Sequence, residues 1–169
     1  MPIAKRPFLL FLLLCSLTLS AQEKVPFSAM DVFGLEWVTN PQISPDGDWV
    51  VYQRRGMDIM KDRRTARLWL IKTDGTGHRK LTSNDVSESS PVWSPDGSRI
   101  AFVSGTDQGS EIFVYWLDSG VMARLTQLEH SPSGLSWSPD GKHLAFSMFV
   151  PGQELKLVSG PKRPKGAEW

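Results

Sequence analysis

Cysteine is nearly missing from this chain: Cys15 is the only one in 169 residues, so no disulfide within the chain can brace the fold and no C-x-x-C pair can serve redox or zinc chemistry. Also missing are a G-x-S-x-G nucleophile elbow, an H-E-x-x-H zinc helix and a glycine loop that cradles phosphate. No residue is therefore assigned to catalysis, to a cofactor or to a metal. His78, His130 and His143 are scattered over loops and turns, without a spacing that pairs them with a serine or with each other. They read as exposed turn residues. Charge of one sign is absent too: 19 Lys and Arg stand against 18 Asp and Glu, a balance that leaves no nucleic-acid footprint. The one basic run, PKRPKG at 161–166, is broken by prolines and reads as a solvated loop.

Long hydrophobic runs are limited to FLLFLLL, from Phe8 to Leu14, too short to span a bilayer comfortably. Lys5 and Arg6 precede it, and Ser20 and Ala21 follow. This is the layout of a secretory signal peptide over residues 1–21, with cleavage near Ala21. The expected location is exported, periplasmic or secreted, with membrane contact only through the export signal. An uncleaved N-terminal anchor is the alternative, and lipid attachment at Cys15 is disfavoured because bulky Leu14 precedes it. Cleavage removes Cys15, so the mature domain rests on packing alone.

What is present is a motif written three times: ISPDGDWVVYQ from Ile43, WSPDGSRIAFVS from Trp93 and WSPDGKHLAFSM from Trp137. The serines Ser44, Ser94 and Ser138 stand 50 and 44 residues apart, the period of one blade of a β-propeller. A second block repeats with the same period, LWLIKTDGTGHRKLT from Leu68 and IFVYWLDSGVMARLT from Ile112. The longer first interval is assigned to a polar insertion at 54–67, expected to form a surface loop.

Each Ser-Pro-Asp-Gly reads as a tight hairpin. Proline presets φ, aspartate bonds nearby backbone N–H groups, and Gly47, Gly97 and Gly141 supply positive φ. Asp46, Asp96 and Asp140 are thus turn residues and not metal ligands, Asp48 being the only further carboxylate nearby. The near-continuous apolar runs after each turn predict strands covered on both faces. The aromatic stripe Trp49, Trp69, Trp93, Phe102, Phe113, Trp116, Trp137 and Phe146 reads as core between blades. Ser28 is expected to cap a short helix in a lead-in segment at 22–34, with Met30, Phe33, Leu35 and Trp37 making apolar contacts on the propeller rim. A partial all-β propeller then fills 35–169, its blades at about 35–82, 91–126 and 135–169, the last incomplete. Residues 155–158 are weakly strand-like, and the rest of the C-terminal segment reads as loop.

These WSPDG-x-x-[IL]-AF repeats resemble those of the prolyl oligopeptidase family of serine peptidases and of the Tol-system periplasmic propeller protein. The entry MDVFGLEWVTNPQISPDGDWVVYQ and the exit SMFVPGQ with PKRPKGAEW resemble the acylaminoacyl-peptidase and dipeptidyl-peptidase branch. The resemblance implies a propeller that gates short peptides towards a C-terminal α/β-hydrolase domain holding a Ser-Asp-His triad. None of those triad positions lies in this chain, which reads as cut before the hydrolase, so the missing domain and short peptides are the implied partners. Paired glutamates that grip a substrate amino terminus are not found either: Glu88 is read as standing alone in a loop. The alternative is a non-catalytic Tol-type propeller that binds protein partners, against which stands the lack of room for an α/β domain ahead of the first repeat. An open partial ring leaves apolar faces bare, and marginal stability and aggregation are expected of it in isolation.

Overall fold

Each Ser-Pro-Asp-Gly segment joins the first two strands of a sheet, and the sheets follow one another along the chain as the repeats do. The structure, a computed structural model, describes residues 26–83 and 85–152. The chain divides into two units, Met1–Val32 and Phe33–Trp169. The expected signal peptide and the strand-like stretch at 155–158 lie outside the described residues. A 3-10 helix at Ala29–Gly34 follows Ser28 and buries none of its residues; Met30 is 62% exposed. Asp31 N–H donates to the Ser28 backbone carbonyl at 3.1 Å, and the Asp31 carboxylate accepts from Ser28 N–H at 2.6 Å, so the aspartate caps this turn.

Blade 1 is the antiparallel sheet β1 (Trp37–Ile43), β2 (Trp49–Asp58), β3 (Arg63–Lys72) and β4 (Arg79–Lys80). Blade 2 repeats it with β5 (Glu88–Trp93), β6 (Arg99–Thr106), β7 (Gly109–Trp116) and β8 (Met122–Arg124), and blade 3 supplies β9 (Pro132–Trp137) and β10 (Leu144–Met148). β5 packs against β1, β2 and β3, and β9 packs against β5, β6 and β7. The first strand of each blade therefore runs innermost, beside the first strand of its neighbour. The molecule is an incomplete β-propeller.

The polar insertion is not a loop. β2 and β3 pair without interruption from Trp49↔Lys72 to Asp58↔Arg63, whereas β6 and β7 close at Thr106↔Gly109. Each strand of the first hairpin is two residues longer and its turn is two residues longer, which accounts for all six residues separating the two periods. Backbone pairing outweighs the polar composition because these strand ends lie at the sheet margin, where charged side chains reach water.

Alternation sends one face of each sheet forward along the chain and the other back. Val51, Leu68, Leu70 and Leu81 of blade 1 meet Ile100, Phe102 and Tyr115 of blade 2, all 7% exposed or less. Trp49, Trp93, Phe113 and Met122 pack around them. A smaller cluster, Val103, Ile112 and Leu135 with Val92 and Leu144, joins blade 2 to blade 3. Of the aromatic stripe, Phe102 is buried in the core and Trp49, Trp93 and Phe113 pack on it, but Phe146 is 39% exposed, and Trp69 lies on the face of blade 1 turned away from blade 2, against His78.

Candidate functional site

The turns are built around their serines, a role the sequence reading gave to Pro, Asp and Gly alone. Ser44 Oγ donates to Asp46 at 2.5 Å and accepts from Trp49 N–H at 2.9 Å. Ser94 repeats this with Asp96 and Arg99 at 2.6 and 3.0 Å, and Ser138 with Asp140 and His143 at 2.5 and 2.9 Å. Gly47, Gly97 and Gly141 take φ of 82°, 70° and 66°, as a tight turn requires of them. The serine hydroxyl first, and a backbone N–H second, hold all three aspartates below the ordinary carboxylate range, Asp96 at about 2.

The third turn gathers the residue types of a catalytic triad. His143 Nδ1 lies 4.0 Å from Asp140 Oδ1, and Ser138 is bonded to both residues. The connections are wrong for nucleophilic catalysis, because a triad needs the imidazole between serine and carboxylate. Here the serine proton goes straight to the carboxylate, and the imidazole is 82% exposed. The first two turns make the same bonds with Trp49 and Arg99 at the histidine position. The other histidines are engaged elsewhere, His78 with Tyr52 and His130 with the edge of Phe149.

The innermost strands carry a feature no motif search finds. Each breaks register against its partner once: between Thr39 and Gln42, between Ser89 and Val92, and at Ser133–Ser136. One residue at each break has positive φ, Asn40 at 52°, Ser90 at 53° and Gly134 at 62°. A bulge of this kind sharpens twist where strands converge. The Asn-Pro and Ser-Pro pairs at 40–41 and 90–91 were the legible signal. Asn40, Ser90 and Gly134, on these innermost strands, carry no charge.

Glu88 is a correction. It does not stand in a loop but opens β5, 1% exposed, where it ties blade 2 to blade 1. Its carboxylate accepts from Leu68 N–H at 3.1 Å and from the Thr82 hydroxyl, while Gln53 Nε2 donates to its carbonyl at 2.8 Å. Burial pushes its carboxyl up, opposed by those donors and by Arg67 and Lys80. A group so enclosed ties the blades together. In blade 2 the buried Glu111 carboxylate accepts from the Thr126 hydroxyl at 2.6 Å and from Leu128 N–H at 3.0 Å.

A repeat this regular is informative when set beside known propellers. The family described as oligogalacturonate lyase matches residues 9–142. The chain belongs to that family. Among curated proteins, the uncharacterized peptidase YuxL of Bacillus subtilis is 30% identical over 102 residues, 60% of this chain and 16% of YuxL. A TolB homolog of Chlorobium luteolum is 40% identical over 53 residues, 31% of this chain and 12% of that protein. Among solved structures, the acylaminoacyl peptidase of Pyrococcus horikoshii superposes with a TM-score of 0.60 at 16% identity, over 71% of this chain and 19% of that one. An oligogalacturonate lyase in complex with manganese superposes with a TM-score of 0.50 at 28% identity, over 62% of this chain and 28% of that one.

Family membership thus describes the propeller, and the peptidase relatives place the same repeats in the N-terminal propeller part of prolyl oligopeptidase-family enzymes. The chain spans less than a fifth of the length of these two curated relatives. The described residues offer no site that fits manganese. Among the described residues no three His, Cys, Asp or Glu side chains converge, and the three turn carboxylates are each committed to a serine and a backbone N–H. No helix among those residues is long and apolar enough to cross a membrane.

Proposed function

We propose that this chain is the substrate-gating propeller of an exported serine peptidase that hydrolyses short peptides, working with a C-terminal α/β-hydrolase domain. The observation that carries this reading is the match to a curated peptidase over 102 residues, 60% of this chain. The uncharged residues at the three register breaks, Asn40, Ser90 and Gly134, support it, since amide groups of a peptide need hydrogen-bonding partners and not fixed charge. The apolar run at Phe8–Leu14 behind Lys5 and Arg6 supports export.

The family match favours a second reading, in which the intact protein cleaves oligogalacturonate. A polyanion calls for cations along its path, and none stands at the three register breaks. A Tol-type binding role is the third reading, supported by the TolB homolog. One set of measurements on the intact gene product separates them. Release of chromophore from dipeptidyl and acylaminoacyl substrates, lost after treatment with a serine-directed fluorophosphonate, is the expected result. Formation of unsaturated uronate with no peptide cleavage favours the lyase, and capture of envelope proteins without either activity favours the Tol-type role. Retention of the protein in the cytoplasm on fractionation overturns export.

A further inference from the structure

The hairpin of β2 and β3 carries charge that neither the turns nor the seams use. Arg54 pairs with Glu36, Arg67 and Lys61 both reach Asp85, at 2.5 and 3.2 Å, and Asp58 accepts from Met60 and Lys61 N–H at 3.1 and 3.2 Å. These bonds brace the hairpin on two sides. Asp62, Arg63 and Arg64 are different: all three are exposed, and among the described residues their side chains form no hydrogen bond or ion pair. The shorter hairpin of blade 2 spends its tip on itself, Thr106 Oγ donating to the Gly109 carbonyl at 3.0 Å and accepting from Gln108 N–H at 3.3 Å.

The three uncommitted charges are gathered beside an apolar pair. The lead-in segment runs close to β2 at Gly56, where an added Cβ would stand 3.6 Å from Glu36 Cγ and 3.8 Å from the Leu35 carbonyl. Phe33 is thereby held near Met57. These two side chains, both half-buried, line a cleft of about 220 Å³ together with Asp58, Asp62, Arg63 and Arg64. One carboxylate, two guanidinium groups and two apolar side chains thus share one small opening.

We propose that this cleft binds a free dipeptide with an apolar side chain. Its carboxylate is taken by Arg63 and Arg64, whose planar donors match a carboxylate, its ammonium by Asp62, and its side chain by Phe33 and Met57. The size agrees, since the cleft is smaller than the roughly 300–1,000 Å³ of sites for drug-sized ligands. A uronate oligomer fits less well: it has no apolar group for Phe33 and Met57, and its carboxylates meet Asp62 as well as the arginines. This is a binding site apart from the register breaks, and it goes beyond the gating role.

Calorimetric titration of the intact gene product, first treated with a serine-directed fluorophosphonate, tests this with glycyl-phenylalanine as the probe. Saturable binding is expected, weakened about tenfold when the peptide carboxylate is amidated and about tenfold in the double variant Arg63→Gln, Arg64→Gln. Asp62→Asn is expected to weaken the dipeptide several-fold and leave its N-acetyl derivative unchanged. That comparison is made within one variant, so it does not turn on differences in folding. Binding indifferent to amidation or to the arginine pair overturns the inference, as does a lack of saturable binding at millimolar dipeptide. Equal competition by trigalacturonate marks a site for anions in general and overturns it too. Hydrolysis is not a readout, so loss of the peptidase reading leaves this result standing.

Discussion

The seam between blades 1 and 2 and the seam between blades 2 and 3 are alike at the axis and unlike further out. Near the axis both have an indole bonded back to the preceding blade. In both a turn glycine also lies under the preceding turn's proline, Gly97 against Pro45 and Gly141 against Pro95. Away from the axis the first seam gathers seven buried side chains and the second three. A cleft of about 390 Å³ opens beside the second, lined by Ile112, Leu125, Leu144 and Phe146 among others. The inner contacts come from the repeated motif itself and so recur. The outer contacts need strands on both sides, and blade 3 offers two described strands where blade 2 offers four.

The largest test of that contrast is truncation at matched places. Phe102→Ala, at 0% exposed, is expected to cost about 3–5 kcal/mol, and Leu135→Ala in the smaller cluster about 2 kcal/mol, as the cavity left in each allows. Urea denaturation followed by tryptophan fluorescence reads both, and equal losses would erase the distinction between the seams. Next comes the polar tie of the first seam. Glu88→Ala strands Leu68 N–H and the Thr82 hydroxyl and is expected to cost about 2–4 kcal/mol. A loss below that of a surface substitution would remove Glu88 from the account of the seam.

The turn knots should matter equally on both sides. Ser94→Ala deprives a buried position of its bonds to Asp96 and Arg99 N–H, at a cost of about 1–3 kcal/mol. It also changes the acid limb. Asp96 is held at about 2, below its unfolded value of 3.8, so its contribution is complete above pH 3.8 and is lost as pH falls towards 2. Stability measured across that window is expected to fall in the parent chain and less steeply in the variant. Identical slopes would show that the serine does not govern this carboxylate. The smallest effect is expected from Trp93→Phe, which gives up one hydrogen bond to Gln42 for about 0.5–1.5 kcal/mol, whereas Ile43→Phe, at the equivalent position without such a bond, should change stability by less.

Much of this was legible because the motif is local. Ser-Pro-Asp-Gly specifies a turn from neighbouring residues, so Gly47, Gly97 and Gly141 were placed before any contact was known, and their spacing gave the blade. The same locality blurred the relatives: a hairpin common to a lyase, peptidases and Tol-type proteins marks the ring and says little of the chemistry done beside it. The 54–67 stretch was misread as a loop because polarity resembles a loop wherever a strand extends past its neighbours into water. Glu88 was misread because its partners, Leu68, Thr82 and Gln53, lie up to 35 residues away and no window around ESSP contains them.

By itself the order of residues determined the repeat, the sheets and the turns that begin them, since each rests on backbone preferences and alternation within a few positions. Only the tertiary structure decided which face of each sheet is covered. It made a lone glutamate a tie between blades, and it left Tyr52, Trp69 and His78 where blade 2 keeps its core. The reason is physical: burial belongs to pairs of surfaces, and a surface acquires its partner only when distant segments meet.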